Sequence, residues 1–249
     1  MRRYLRFLLV LAVLFGLPRL GWAEPLLVGV EALNMQPLYY LDQRGRYQGF
    51  ANDLLTDFAK RHGYQLEIKA LPVARLYHAF FNGDVEFKFP DSPQWDQPQR
   101  ARLAIHYSDP VLEYLDGVMR LNLDPVPPGS RPMRLGIIRG FKADYLYDNG
   151  EFEMVQGNSL EQLYLLLEKQ RIDGIFFNAQ SINYQLAQDD GLRAQRLRLD
   201  RHLPYLQGHY RLSSFQRPEV IEQFDRYLLQ HAAVVAQLKL RWGVPAVDE

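Results

Sequence analysis

The feature that most limits the fold is an alternation of short apolar runs with helical periods, broken twice by proline-rich stretches. Leu26-Leu27-Val28-Gly29-Val30 is a continuous apolar run of strand length, the pattern of a strand buried on both faces. Between 50 and 63, apolar residues fall at Phe50, Leu54, Leu55, Phe58 and Ala59, which is one face of a helix. Asn52 and Asp53 suit its first turn, Lys60, Arg61 and His62 its last, and Gly63 its stop. A strand over 65–70, a helix over about 73–81 and a strand over 85–89 follow. This order predicts a mostly parallel sheet faced by helices, an α/β fold.

The first break, 90–98, is rich in Pro, Asp and Gln and reads as loop. The second, 121–132, holds Pro125, Pro127, Pro128, Gly129 and Pro132. A fresh unit opens with a buried strand, Met133-Arg134-Leu135-Gly136-Ile137-Ile138. Helices are predicted at about 141–147, 159–169 and 179–188, and strands at about 152–156 and 172–177. Ser159 with Gln162 three residues on marks a helix start. A helix pair at about 218–230 and 232–242 closes the chain. The pattern gives two α/β units and no internal repeat.

The N-terminus sets the compartment. Arg2, Arg3 and Arg6 precede a nearly unbroken apolar run from Leu5 to Leu17, and Gly21 and Ala23 flank Trp22 before Glu24. That is the plan of a secretory signal peptide over 1–23, cut at Ala23/Glu24, and the mature protein is expected in the periplasm. The run is shorter than the roughly 20 residues that span a bilayer, and Pro18 and Arg19 interrupt it. The leader holds four of the 29 Lys and Arg and no acid, so the mature chain carries 25 basic against 29 acidic residues. A mildly acidic chain argues against a nucleic-acid partner, which needs a basic face. Cysteine is absent, which rules out thiol catalysis and thiolate metal sites.

Several short stations, taken together, resemble one family. They are Leu27-Val28-Gly29-Val30, Pro37-Leu38-Tyr39-Tyr40, and Gly45-Arg46-Tyr47-Gln48-Gly49-Phe50 leading into Asp53-Leu54. Asn82-Gly83-Asp84-Val85-Glu86, Gln99-Arg100-Ala101 and Tyr107-Ser108-Asp109-Pro110 follow, then Leu135-Gly136-Ile137-Ile138-Arg139-Gly140 and Arg171-Ile172-Asp173-Gly174-Ile175. Their order and spacing resemble the bacterial family 3 extracellular solute-binding proteins, the periplasmic receptors of polar amino acid uptake. The resemblance implies a two-lobed periplasmic binding protein fold, each lobe a mostly parallel sheet flanked by helices, joined by two hinge strands. Lobe one would hold 24–115 plus 209–249 and lobe two 116–208. Ligand would sit between them and the lobes would close by hinge motion.

In α/β folds the cleft lies at the carboxyl ends of parallel strands, where loops expose backbone N–H groups and helix N-termini. Reading those loops gives Glu31, Asn34 and Tyr39 after the first strand, and Val73 and Arg75 after the second. The break after 85–89 adds Asp91, Ser92, Trp95 and Arg100. The second unit adds Gly140, Phe141 and Lys142, then Asn178.

The resemblance implies that Arg100 holds a ligand carboxylate through a two-pronged bond that Lys cannot reproduce; the alternative is a solvated Arg beside Arg102. Glu31 lies where many members carry an acid facing the ligand's distal group, or is an exposed loop acid. Trp95 and Tyr39 sandwich an apolar stem or plug the core. Phe141 and Lys142 replace the small hydroxyl residues usual at that helix start, and Phe141 narrows the space. Asn178 stands where an Asp normally pairs with the ligand's ammonium, so a counter-charge is missing. Asp91 is a candidate to supply it.

The expected function is capture of a small polar, carboxylate-bearing, amino-acid-like molecule for an ABC-type uptake system, without catalysis. The alternatives are a receptor feeding a membrane sensor, or a dehydratase on the same fold acting on prephenate-like substrates. Gly-x-Ser-x-Gly, His-Glu-x-x-His and Walker patterns are absent, and the six His show no metal spacing. His202 and His209 are expected to flank the second hinge strand. No cofactor or metal is expected, the partner is a small molecule with a permease or sensor behind it, and the protein is expected to be a monomer.

Overall fold

The computed structural model describes residues 23–95, 97–121, 123–124, 131–141, 143, 146, 150–188 and 197–244. The leader, Lys142 and most of the helix expected at 141–147 lie outside the described residues. Strand β1 (Glu24–Glu31) runs parallel to β4 (Tyr64–Leu71) and to β5 (Phe87–Asp91). Helix α1 (Phe50–His62) and helix α2 (Val73–Asn82) connect them, and the small hairpin β2 (Tyr40–Leu41) and β3 (Tyr47–Gln48) precedes α1. The apolar stripe read from the sequence is the buried face of α1: Phe50, Leu54, Leu55, Phe58 and Ala59. Gly63 ends that helix at φ 72°, a left-handed conformation in which a side chain is strained.

The second sheet repeats the plan. β8 (Met133–Ile138) is parallel to β9 (Phe152–Gly157) and to β10 (Gly174–Asn178). Helices α4 (Leu160–Glu168) and α5 (Ala179–Ala187) complete it. The Ser159 hydroxyl accepts from the Gln162 N–H as the spacing predicts, while Gln162 Oε1 reaches back to the N–H of Asn158.

Two long strands join the sheets. β7 (Leu112–Arg120) pairs antiparallel with β10, and the short β11 (Arg198–Leu199) pairs with β7. In β12 (Tyr205–Ser214), residues up to Tyr210 pair with β7, while Arg211 and Ser213 pair with β5 and Ser213 and Ser214 with β6 (His106–Tyr107). The strand order is β4-β1-β5-β12-β7-β10-β8-β9. The expected lobe boundaries at 115/116 and 208/209 fall inside β7 and β12. Helices α6 (Pro218–Gln230) and α7 (Ala232–Trp242) return to the first lobe, where Phe224 meets Phe58 edge-on at 5.0 Å and Trp242 Nε1 donates to Asp53. Among the described residues no helix is long and apolar enough to cross a membrane.

Two expectations are corrected. The segment 90–98 is not all loop: β5 continues through Pro90 to Asp91, and one helical turn, α3 (Gln97–Arg100), follows. Pro90 is tolerated because the register with β12 shifts there, so a missing N–H breaks no regular ladder. His209 does not flank the hinge strand but sits inside β12 opposite Glu113.

Candidate functional site

The ends of β1, β4 and β5 in lobe one face the ends of β8 and β10 in lobe two. Between them lies a cavity of about 10 Å³, room for the centre of a single water, lined by Glu31, Val73, Tyr77, Trp95 and Phe141. Four of these come from lobe one and Phe141 from the loop after β8. Gly140, beside it, adopts φ 88°, and a Cβ there would stand 2.6 Å from the backbone nitrogen of Ala74 on α2. Only glycine allows that approach. Ser181 Oγ donates to the Gln36 carbonyl at 3.2 Å and Gln185 Nε2 to the Asn34 carbonyl at 3.2 Å. The two lobes are therefore in contact around the cavity.

Behind the lobe-one wall is a buried charge cluster. Arg100, at the end of α3, grips Asp91 with both prongs: one terminal nitrogen to Oδ2 at 2.9 Å and the other to Oδ1 at 2.5 Å. Its Nε donates to the Trp95 carbonyl, and one prong also donates to the Tyr107 hydroxyl at 2.7 Å. Lys88 Nζ reaches Asp91 Oδ1 at 3.0 Å and the Pro90 carbonyl at 2.7 Å, and Ser213 Oγ donates to Asp91 Oδ2 at 2.5 Å. Lys88 also lies over the rings of Tyr77 at 4.7 Å and Trp95 at 5.1 Å. Burial alone would raise the Asp91 carboxyl, but the Lys88 and Arg100 cations hold it below the ordinary carboxylate range. Glu31 is different. It accepts from the Tyr39 hydroxyl at 2.5 Å, and burial pushes its carboxyl up despite the pull of Lys88.

The lobe-two side carries no such cations among its described strand-end residues. Asn178, wholly buried, caps α5 by accepting from the Ser181 N–H at 2.8 Å. Its amide donates to Asp116 Oδ1 at 3.1 Å, Gln180 Oε1 at 3.2 Å and the Tyr210 hydroxyl at 3.3 Å. Asp116, on β7, is pushed up to about 7 by burial, with the nearby Glu31 charge adding to the rise. Gln180 ties α5 to β7 through the Leu115 N–H and the Glu113 carbonyl.

Of the residues read from sequence, Glu31, Val73, Trp95 and Phe141 line the cavity, and Tyr39 orients Glu31. Asp91 and Arg100 are bonded to each other, so the fork expected to hold a ligand carboxylate holds a carboxylate of the chain. Asp91 does face an ammonium, that of Lys88. Ser92 is buried against the Tyr114 hydroxyl, Gly140 makes the lobe contact, and Asn178 is occupied by its cap and its amide bonds. Asn34 stays at the exposed rim, and Arg75 is exposed on α2 away from the cavity.

Tyr77, Lys88, Asp116 and Tyr210 were not singled out from sequence. Tyr77 lies one helical turn beyond Val73, a spacing that puts both on one face. Lys88 inside Phe87-Lys88-Phe89 and Asp116 inside Leu115-Asp116-Gly117-Val118 are charges flanked by apolar neighbours, each a signal of a buried partner. Among the described residues no group of three or more His, Asp or Glu is placed to hold a metal ion.

No protein-family model matches the chain, and no curated protein matches it in sequence. Solved structures do match in shape. A substrate-binding protein of an ABC uptake transporter from Streptococcus pneumoniae, with bound histidine, is 13% identical with a TM-score of 0.69 over 87% of this chain and 91% of that one. An arginine transport periplasmic binding protein from Legionella pneumophila is 14% identical with a TM-score of 0.66 over 87% and 98%. An ancestral amino-acid-binding protein described as a precursor of cyclohexadienyl dehydratase is 14% identical with a TM-score of 0.66 over 87% and 94%. At these identities the likeness is one of architecture, and it agrees with the two sheets and crossing strands: the chain has the two-lobed fold of the periplasmic binding proteins.

Proposed function

We propose that the chain is a periplasmic receptor that closes its two lobes on a small polar solute of amino-acid size and hands it to a membrane permease of the ABC type. In this reading the leader is removed near Ala23 and the mature protein works as a monomer. The observation that carries the proposal is the seating of Gly140 and Phe141 on lobe one beside a small cavity lined by a buried acid and three aromatic rings. With the lobes in contact this space holds no more than a water, so a solute of amino-acid size enters only as the lobes part. The neighbours of like fold include a binding protein with bound histidine and an arginine transport binding protein, which supports the amino-acid size class.

Catalysis is not part of the proposal. Asp116, the acid raised to about 7, is bonded to Asn178 and lies outside the residues lining the cavity, so it has no reach to a solute there. The test is thermal unfolding of protein stripped of carried solute by refolding, against amino acids, amines, small organic acids and short peptides. A solute at a hundred times its dissociation constant should add about 2.7 kcal/mol of stability. Stabilisation by one chemical class, lost on Phe141→Asp, is the expected result. No stabilisation across the panel, with turnover of prephenate in its place, would overturn the receptor reading.

A further inference from the structure

A receptor's selectivity is set as much by what its buried groups refuse as by what they accept. In this chain all three guanidinium nitrogens of Arg100 already donate inside the protein: to both oxygens of Asp91, to the Tyr107 hydroxyl and to the Trp95 carbonyl. Asp91 is equally full, since Lys88 and Ser213 complete four bonds to its two oxygens. Both side chains are buried. A solute carboxylate arriving here would have to expel Asp91 and leave it buried with one cation fewer. What the cavity itself presents is Glu31, with Tyr77, Trp95 and Phe141 around it. One acid among ring faces suits a cationic head.

There is also room for a stem. Beyond Tyr77 lies a groove of about 340 Å³ along α2, lined by Ala74, Tyr77, His78, Phe81, Asn82 and Gln99 together with Gly140. Tyr77 lines both spaces, and Gly140 and Phe141, consecutive in lobe two, line one each. Among the described residues the groove's lining includes no acid and no Lys or Arg, so it suits a neutral or apolar stem.

We infer that Asp91 is a built-in carboxylate that occupies the fork of Arg100 and turns the cleft against carboxylate-bearing solutes, so that the solute is an amine with its ammonium at Glu31 and its stem toward the α2 groove. The inference rests on the receptor reading above and narrows it to amines that lack an α-carboxylate. Breaking a buried ion pair is costly enough that the carboxylated analogue should bind at least about a hundredfold more weakly.

The deciding experiment is calorimetric titration of the purified protein with matched pairs: cadaverine against lysine, tyramine against tyrosine, agmatine against arginine. The expected result is that at least one amine binds and its amino acid is weaker by that factor or more. In Asp91→Ser, which opens the fork, the ratio should shrink or reverse, and Arg100→Ala in that background should restore the preference for the amine. An amino acid that binds wild-type protein as well as its amine overturns the inference and leaves the receptor standing. Failure of every amine and every amino acid overturns the receptor reading together with it. Where Asp91→Ser fails to fold, the wild-type pairs and Asp91→Asn, which keeps the side-chain volume, decide.

Discussion

β5 and β10 invite comparison. Each has five residues, each is buried along its whole length, and each lies beside one of the two crossing strands and ends at the lobe interface. Yet β5 ends in Asp91 and β10 in Asn178. The difference follows from the neighbours. Asp91 stays ionised because Lys88 and Arg100 stand within hydrogen-bond reach. Asn178 meets Asp116, Gln180 and Tyr210, none of them cationic, and a second carboxylate there would add a charge with no partner. A buried strand end carries charge only where the surrounding elements bring counter-charge, as Lys88 and Arg100 do for Asp91.

The largest expected effect comes from unbalancing the charged end. Arg100→Ala leaves Asp91 with Lys88 alone and should cost about 3–5 kcal/mol in urea unfolding; a cost below 1 kcal/mol would mean that the pair is not the support that separates β5 from β10. Next is the acid beside the neutral end. Burial holds the Asp116 carboxyl near 7, against about 4 in an unfolded chain. Between those values folding takes up a proton, so stability falls as pH rises through the window and levels off above it. Asp116→Asn removes that dependence and should gain about 2–4 kcal/mol over wild type at pH 8 and little at pH 4. An equal gain at both pH values would show that folding does not raise the Asp116 carboxyl and that the lobe-two end tolerates charge.

Smaller effects bear on the contrast between the lobes. Gly140→Ala places a Cβ against the Ala74 backbone at a positive φ, at a cost of about 1–3 kcal/mol or a parting of the lobes. Small-angle scattering should then report a larger radius, and an unchanged radius with unchanged stability would remove Gly140 from the interface. Tyr47 marks an exception in lobe one: among the described residues its buried hydroxyl has no hydrogen-bond partner, although its ring stacks on Tyr39 at 5.8 Å. Tyr47→Phe should therefore stabilise by about 1 kcal/mol, and a loss of similar size would reveal a bonded water there.

Periodicity located α1, α2 and β4 most sharply, because each carries an apolar face bounded by glycine or proline at both ends. The end of β5 was hidden because Pro90 reads as a break, and only the bulge against β12 makes it compatible with a strand. Within the site, loop position was enough to find Glu31, Trp95 and Phe141. The pairing of Arg100 with Asp91 was not legible, since two opposite charges nine residues apart can face a solute or each other. What decides is Lys88 and Ser213, the second contributed from 122 positions along the chain by β12.

That distant contribution has a consequence for how the molecule is made. The second sheet is drawn mostly from one continuous run of chain, with β8, β9 and β10 and their helices following one another. The first is stitched from both ends: Asp91 needs Ser213, and α1 is covered by α6 and α7, with Trp242 and Asp53 bonded across 189 positions. As the chain emerges, the second sheet can assemble while the first waits for the last helices. Pulsed hydrogen exchange during refolding should find β8 and β9 amides protected before those of β1 and β4. A chain cut short before α6 would leave α1 without the cover that Phe224 and Trp242 supply, so only a finished chain can close the first sheet.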